Sequence, residues 1–285
     1  MKVDENSCGG HMTDILTQTI QQIELTIFKR FSELAAKYRL HYIAMGGTLL
    51  GAIRHQGFIP WDDDMDIALL RPDYERLLEV APAEFQNDHY YLQTPWSDDN
   101  YALSYAKILD RNTYIEERNN VNNARKGVFL DIFPLDKVPD STEKQRRQII
   151  NIRKLDSRIY LKLRYNIIDN PIRKFQGALS SEQLTAANIF KQKRQSLMTT
   201  YNDHPDLNLV KNLASQYAYE KELFSLNQVK EVTTVPFEDT QIVVPKDYDV
   251  ILNGLYGDYF KLPPESQQVE KHIVKLIYDN QVFER

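Results

Sequence analysis

The chain has 285 residues, of which 42% are apolar, 26% charged and 11% aromatic, enough apolar material for a sizeable core and too much for a disordered or fibrous protein. Its 35 Lys and Arg against 40 Asp and Glu leave a net charge of −5, which argues against nucleic acid as a partner. Leu40–Ile53, the longest run without a charged side chain in the first hundred residues, falls short of the ~20 residues of a membrane span, and no basic-then-apolar leader opens the chain, so a soluble cytoplasmic protein is expected.

Residues 1–11 show no helical or strand period and hold the single cysteine, Cys8; they read as an added leader before a native start at Met12. Without that leader the chain has no thiol, and disulfides, zinc-thiolate sites and cysteine nucleophiles drop out together. Leu16, Ile20, Ile23, Ile27, Phe31, Leu34 and Tyr38 recur at helical spacing and predict one long amphipathic helix over Thr13–Arg39. A short strand, His41–Met45, stops at Gly46-Gly47, and a short helix, Thr48–Arg54, follows. Asp62–Leu70 reads as a strand, and Pro72 with Asp73 opens a helix that continues over Tyr74–Val80. Strands are expected at Tyr90–Gln93, Tyr101–Ile108 and Val128–Phe133, and helices at Thr142–Ile168 and Ser181–Met198. Thr240–Val244 is a strand candidate, Tyr248–Leu255 a short helix and Val269–Tyr278 a terminal helix. The class is α/β (α+β), with a catalytic core over 12–140, a mainly helical basic region over 141–235 and a segment over 236–285 that packs back on the core. Between Glu143 and Lys174 ten Lys or Arg face three acids, a local charge of +7. That is either a solvated helix face or a surface for anionic lipid or an anionic acceptor.

The chemistry concentrates in Gly46–Ile67, where Asp62, Asp63, Asp64 and Asp66 fall within five positions. On a strand, Asp64 and Asp66 share one face with Cα atoms ~7 Å apart, while Met65 and Ile67 share the other. Two carboxylates so placed repel each other unless a cation joins them, and they read as a divalent-metal pair. A calcium loop of the EF-hand type is excluded, since its sixth position is Ile67 rather than Gly and its twelfth is Asp73 rather than Glu. Gly46-Gly47-Thr48 joins strand to helix and aims backbone N–H groups at one spot, a phosphate seat. Arg54 and His55 lie further along the same helix and could clamp those phosphates; His55 reads equally as a packing histidine. A phosphate cradle beside a carboxylate pair for Mg²⁺ (or Mn²⁺) serves phosphoryl or nucleotidyl transfer.

The stretch Gly47–Ile67 resembles the signature of the LicD family, whose bacterial members transfer phosphocholine from CDP-choline to cell-surface glycans and whose relatives include the fukutin-type transferases. The resemblance continues at Tyr105–Thr113, Gly127–Asp136 and Tyr256–Pro264, and covers most of the chain from Ala35 onward. It implies a nucleotidyltransferase-like mixed sheet flanked by helices, with a glycine turn before an Asp-x-Asp strand and a third carboxylate from a neighbouring strand. Gly46-Gly47 and Asp64-Met65-Asp66 fill the first two roles. Asp131 is the candidate for the third, with Asp136 and Asp110 behind it and Asp62 as a further acid near the metal. The implied reaction is attack of an acceptor hydroxyl on the β-phosphorus of a CDP-alcohol with loss of CMP, Gly47, Thr48, Arg54 and Lys107 stabilising phosphate charge. Trp61, Tyr101, Tyr105 and Phe133 are the aromatics available to a choline headgroup. The acceptor is expected to be a glycan such as teichoic acid or lipopolysaccharide, or its lipid-linked precursor, handled at the inner membrane face, with 143–174 as a peripheral membrane contact. Two alternatives use the same residues: a nucleotidyltransferase that attacks the α-phosphorus, and a non-catalytic nucleotide-binding partner in envelope assembly.

Overall fold

Helix α1 (Ile15–Tyr38) follows its apolar spacing: Ile20, Ile27, Phe31 and Leu34 are completely buried, and Arg39, in the left-handed region at φ +56°, ends it. The structure, a computed structural model, describes residues 15–118, 122–165, 178–269 and 272–284; the leader expected over 1–11 and the stretch 166–168 lie outside them. In chain order there follow β1 (Tyr42–Ala44), α2 (Gly46–Arg54), β2 (Asp66–Leu70) and α3 (Arg71–Glu84), the last with Pro72 in its first turn. Next come β3 (Tyr90–Gln93), β4 (Ala106–Asp110), β5 (Thr113–Glu117), β6 (Phe129–Val138), α4 (Thr142–Leu163) and α5 (Ser181–Met198). The remainder comprises β7 (Leu209–Asn212), β8 (Leu223–Ser225), α6 (Leu226–Lys230), β9 (Val232–Phe237), β10 (Thr240–Pro245), α7 (Tyr248–Tyr256), β11 (Ile273–Tyr278) and β12 (Gln281–Glu284).

The main sheet has the strand order β1-β2-β6-β4-β3 and is mixed, with β2 and β6 parallel and the other pairs antiparallel. The ten-residue β6 serves two neighbours on one edge, β4 along its first half and β7 along its second. Alternating core residues hold the centre rigid: Ile67, Ala68, Leu69, Ile108, Leu130 and Ile132 are all sealed from solvent, beneath α1 and α3. The class expected from the sequence, a mixed sheet with flanking helices, is the one observed.

Several boundaries differ from the expectation, each for a visible reason. The strand expected from Asp62 begins only at Asp66, because residues before it are committed elsewhere: Gln21 of α1 donates to the Asp62 carbonyl at 2.8 Å, and the Asp63 carboxylate caps Ile273. The strand expected from Tyr101 begins at Ala106, since the Ala102 and Leu103 carbonyls accept the buried Arg194 guanidinium of α5 at 2.8 Å each. The terminal helix expected over Val269–Tyr278 is an error; β11 occupies Ile273–Tyr278 and pairs with β5 and β12, and 270–271 lie outside the described residues. A bulge between Ile273 and Lys275 puts the buried Ile273 and Leu276 three apart, which imitates a helical repeat. Strands β5, β7, β8, β9 and β12 were not foreseen: β5 pairs only at long range and β7, β8 and β12 are short, while β9 forms a local hairpin with β10.

Candidate active site

The floor of the site is the parallel junction of β2 and β6. Their register sets Asp66 directly beside Asp131, and the Asp131 N–H donates to the Met65 carbonyl at 2.9 Å. Met65 and Ile67 point into the core and are completely buried, so Asp64 and Asp66 are turned to the opposite side, as their alternation predicts, although Asp64 precedes the strand proper. Helix α2 stands with its amino end over these acids. Thr48 Oγ1 accepts the Asp66 N–H at 2.7 Å. Gly46 has φ +53°, and a Cβ there would lie 3.1 Å from Asp66 Oδ2; at Gly47 a Cβ would collide with the Asp62 carboxylate. The glycine pair thus lets two carboxylates approach the helix backbone more closely than any side chain would allow. The residue before this helix, Met45, has no side chain able to cap its first turn.

Lys107 arrives from β4, opposite Asp131 in register, with Nζ 3.2 Å from Asp131 Oδ1 and over the Phe129 ring at 3.2 Å from its centroid. The pair is close, yet buried Asp131 Oδ1 lacks a well-aligned hydrogen bond. Burial pushes the Asp131 carboxyl up to about 6, Lys107 opposing the shift and Asp64 adding to it. Asp66 is raised further, by burial first and then by Asp64 and Asp131, while burial raises Asp64 against the pull of His272. Acids that lift one another in this way fit a cation between them. Among the described residues no three or more His, Cys, Asp or Glu are gathered closely enough to hold a metal by themselves.

The remaining candidates are distributed around this floor. Arg54 donates from Nη1 to the Tyr259 carbonyl at 2.9 Å and from Nε to His55 Nδ1 at 3.3 Å, and it lies in the field of Asp62 and Tyr256. His55 is lowered by burial and by Arg54, and it meets Trp61 edge-on at 6.3 Å, so its role is packing and holding Arg54. Tyr105 and Phe133 stack at 4.3 Å with Tyr101 edge-on to Tyr105, all on the Asp131 side. Asp136 is outside the site: it is sealed in an ion pair with Arg71 (2.7 and 2.6 Å) and accepts from Asn202. Asp110 caps the turn after β4 through the Asn112 N–H. Both lesser candidates for the third acid are therefore structural.

Three contributors were missed in the sequence. Asp63, 1% exposed, accepts the Ile273 N–H at 2.9 Å and faces His272 Nδ1 at 3.0 Å, tying β11 to the acidic loop. That hydrogen bond raises the His272 imidazole to about 9, with Asp64 adding from 3.4 Å. Glu24 of α1 is completely buried with neither oxygen hydrogen-bonded, and burial together with Asp64, Asp63, Asp62 and Asp131 raises it well above the ordinary carboxyl range. An acid lying on the apolar stripe between Ile20 and Ile27 is the signal that could have found it. Beside Lys107 a shallow cleft is lined by Tyr101, Phe129, Glu117, Arg125 and Lys126.

Residues 39–156, which contain the glycine turn and all these aspartates, match the family model described as LicD/FKTN/FKRP, nucleotidyltransferase domain. The lipopolysaccharide cholinephosphotransferase LicD of Haemophilus influenzae is 32% identical over 264 residues, 89% of this chain and 94% of that protein. Uncharacterised proteins of Rickettsia prowazekii and Rickettsia typhi are 33% and 43% identical over 114 and 110 residues, which cover 39% and 33% of their own lengths. The glycine turn seated on Asp62 and Asp66, the adjacent Asp131 and this near full-length match agree: the chain belongs to the LicD family and is a LicD-type enzyme.

Proposed function

We propose that the protein transfers phosphocholine from CDP-choline to a hydroxyl of a cell-envelope glycan or its lipid-linked precursor, with release of CMP. The observation that carries this reading is the register of Asp66 with Asp131 under the amino end of α2. The donor's diphosphate lies on the N–H groups of Gly47 and Thr48, with Arg54 and Lys107 neutralising its charge. Of the acids Asp64, Asp66, Asp131 and Asp62, the pair set side by side in register, Asp66 and Asp131, would hold Mg²⁺ (or Mn²⁺) together with the donor's phosphates, and the ion would offset charge on the phosphate oxygens. Asp131 takes the proton as the acceptor oxygen forms its bond to the β-phosphorus; the bond from that phosphorus to the bridging oxygen breaks, and CMP departs with the electron pair. Transfer of the nucleotide itself would instead release pyrophosphate or a phospho-alcohol, so the products separate the two reactions.

Asp66→Asn and Asp131→Asn are each expected to lower CMP release by about 10²–10³ or more. Asp66→Asn should not lower the melting temperature, because it removes a source of mutual repulsion, whereas Asp131→Asn also takes away the partner of the buried Lys107 and is checked for folding by circular dichroism. Activity within tenfold of wild type in both variants would refute the assignment. No helix of the described residues is long and apolar enough to cross a membrane. Contact with a lipid-linked acceptor falls in our reading to α4, whose Lys144, Arg146, Arg147, Arg153, Lys154, Arg158 and Lys162 are exposed beside the exposed acid Glu143, placing the enzyme at the inner face of the membrane.

A further inference from the structure

The motif Tyr256–Pro264 takes no part in the chemistry above, yet its position in the fold gives it one. Helix α7 ends at Tyr256, where Lys221 binds the Gly254 and Leu255 carbonyls at 2.6 and 3.0 Å. Gly257, at φ +72°, then turns the chain so that the Tyr259 carbonyl meets Arg54. These two ties set Tyr256 between the end of α2 and the segment 217–222. Its hydroxyl lies near that of Tyr217. Both hydroxyls lie in the field of the site's carboxylates, Asp62 and Asp66 for Tyr256, Asp66 and Asp64 for Tyr217. Both side chains nevertheless stay partly open to solvent, Tyr217 at 44% and Tyr256 at 36% exposed.

Building on the phosphocholine reading, we infer that Tyr217 and Tyr256 form the wall that receives the donor's trimethylammonium group. A quaternary ammonium cannot donate a hydrogen bond; aromatic faces and nearby carboxylates are what recognise it. The other aromatic surfaces of the site are already committed. Lys107 sits over Phe129 at 3.2 Å and 6.0 Å from the Tyr105 centroid, so a cation occupies that cluster and repels a second. The cleft beyond it sets Lys107, Arg125 and Lys126 against Glu117, an environment for phosphate rather than ammonium. Trp61 is engaged edge-on with His55. Charge therefore sorts the site into an anion side, at α2 and Lys107, and a cation side, at the tyrosine pair. Arg54, between Asp62 and Tyr256, suits the phosphate to which choline is esterified.

The test compares CDP-choline with CDP-3,3-dimethylbutanol, the isostere in which carbon replaces the charged nitrogen, using kcat/KM for CMP release with Mg²⁺ present. Wild type is expected to prefer choline by about tenfold or more. Tyr217→Leu and Tyr256→Leu should bring that ratio close to one mainly through the KM for CDP-choline, whereas Tyr217→Phe, which keeps the ring, should retain it. Circular dichroism confirms that each variant is folded. A wild-type ratio near one, or a ratio that both leucine variants preserve, overturns the tyrosine wall while CMP release leaves the transferase reading standing. Absence of CMP from either donor in wild type overturns both.

Discussion

Glu24 shows how much a single side chain can disclose. A carboxyl sealed inside α1 without a hydrogen bond is costly when charged, so it holds its proton in the folded state. Its folded value lies above the ordinary 4.5, so between the two the folded chain keeps a proton that the unfolded chain has released, and stability falls as pH rises through that window. Glu24→Gln has no proton to lose. The variant should match wild type near pH 4 and exceed it by about 1–3 kcal/mol at neutral pH, measured by denaturant titration. A difference independent of pH would show that Glu24 is ionised throughout. At this scale alternation pointed to Asp64 and Asp66 as a pair, and the family resemblance pointed to Asp131. The sequence hid Glu24 and Asp63, whose roles depend on neighbours distant in the chain.

At the scale of elements, the helices and the central strands were legible because burial of one face imposes a period. The edges were not. Strand β2 starts late because Asp63 serves β11, and β11 itself passes for a helix because a bulge alters its period. Asp63 is therefore the strut of this junction. Asp63→Ala leaves the buried Ile273 N–H unsatisfied, at a cost of about 1–3 kcal/mol. The melting temperature should fall by roughly 3–10 °C, and the amides of 273–278 should exchange faster than those of β6. An unchanged melting temperature with protected β11 amides would remove the strut from the account.

Considered whole, the molecule is acidic, yet one helix presents seven exposed cations away from the catalytic floor. Neutralising Arg146, Arg147, Arg153 and Lys154 to Gln should reduce binding to phosphatidylglycerol vesicles by on the order of 10²–10³ at low salt. Hydrolysis of a water-soluble donor should be unaffected. Wild-type protein that ignores such vesicles would end the membrane role. The bond between Asp63 and Ile273 joins positions 210 residues apart, and it braces the acidic loop before β2. During synthesis the amino-terminal strands can leave the ribosome and pair early, but that loop lacks its brace until residue 273 has emerged. The final geometry of that loop is therefore set by a segment made more than two hundred residues after it, so the acidic loop is completed by long-range folding rather than by its local sequence.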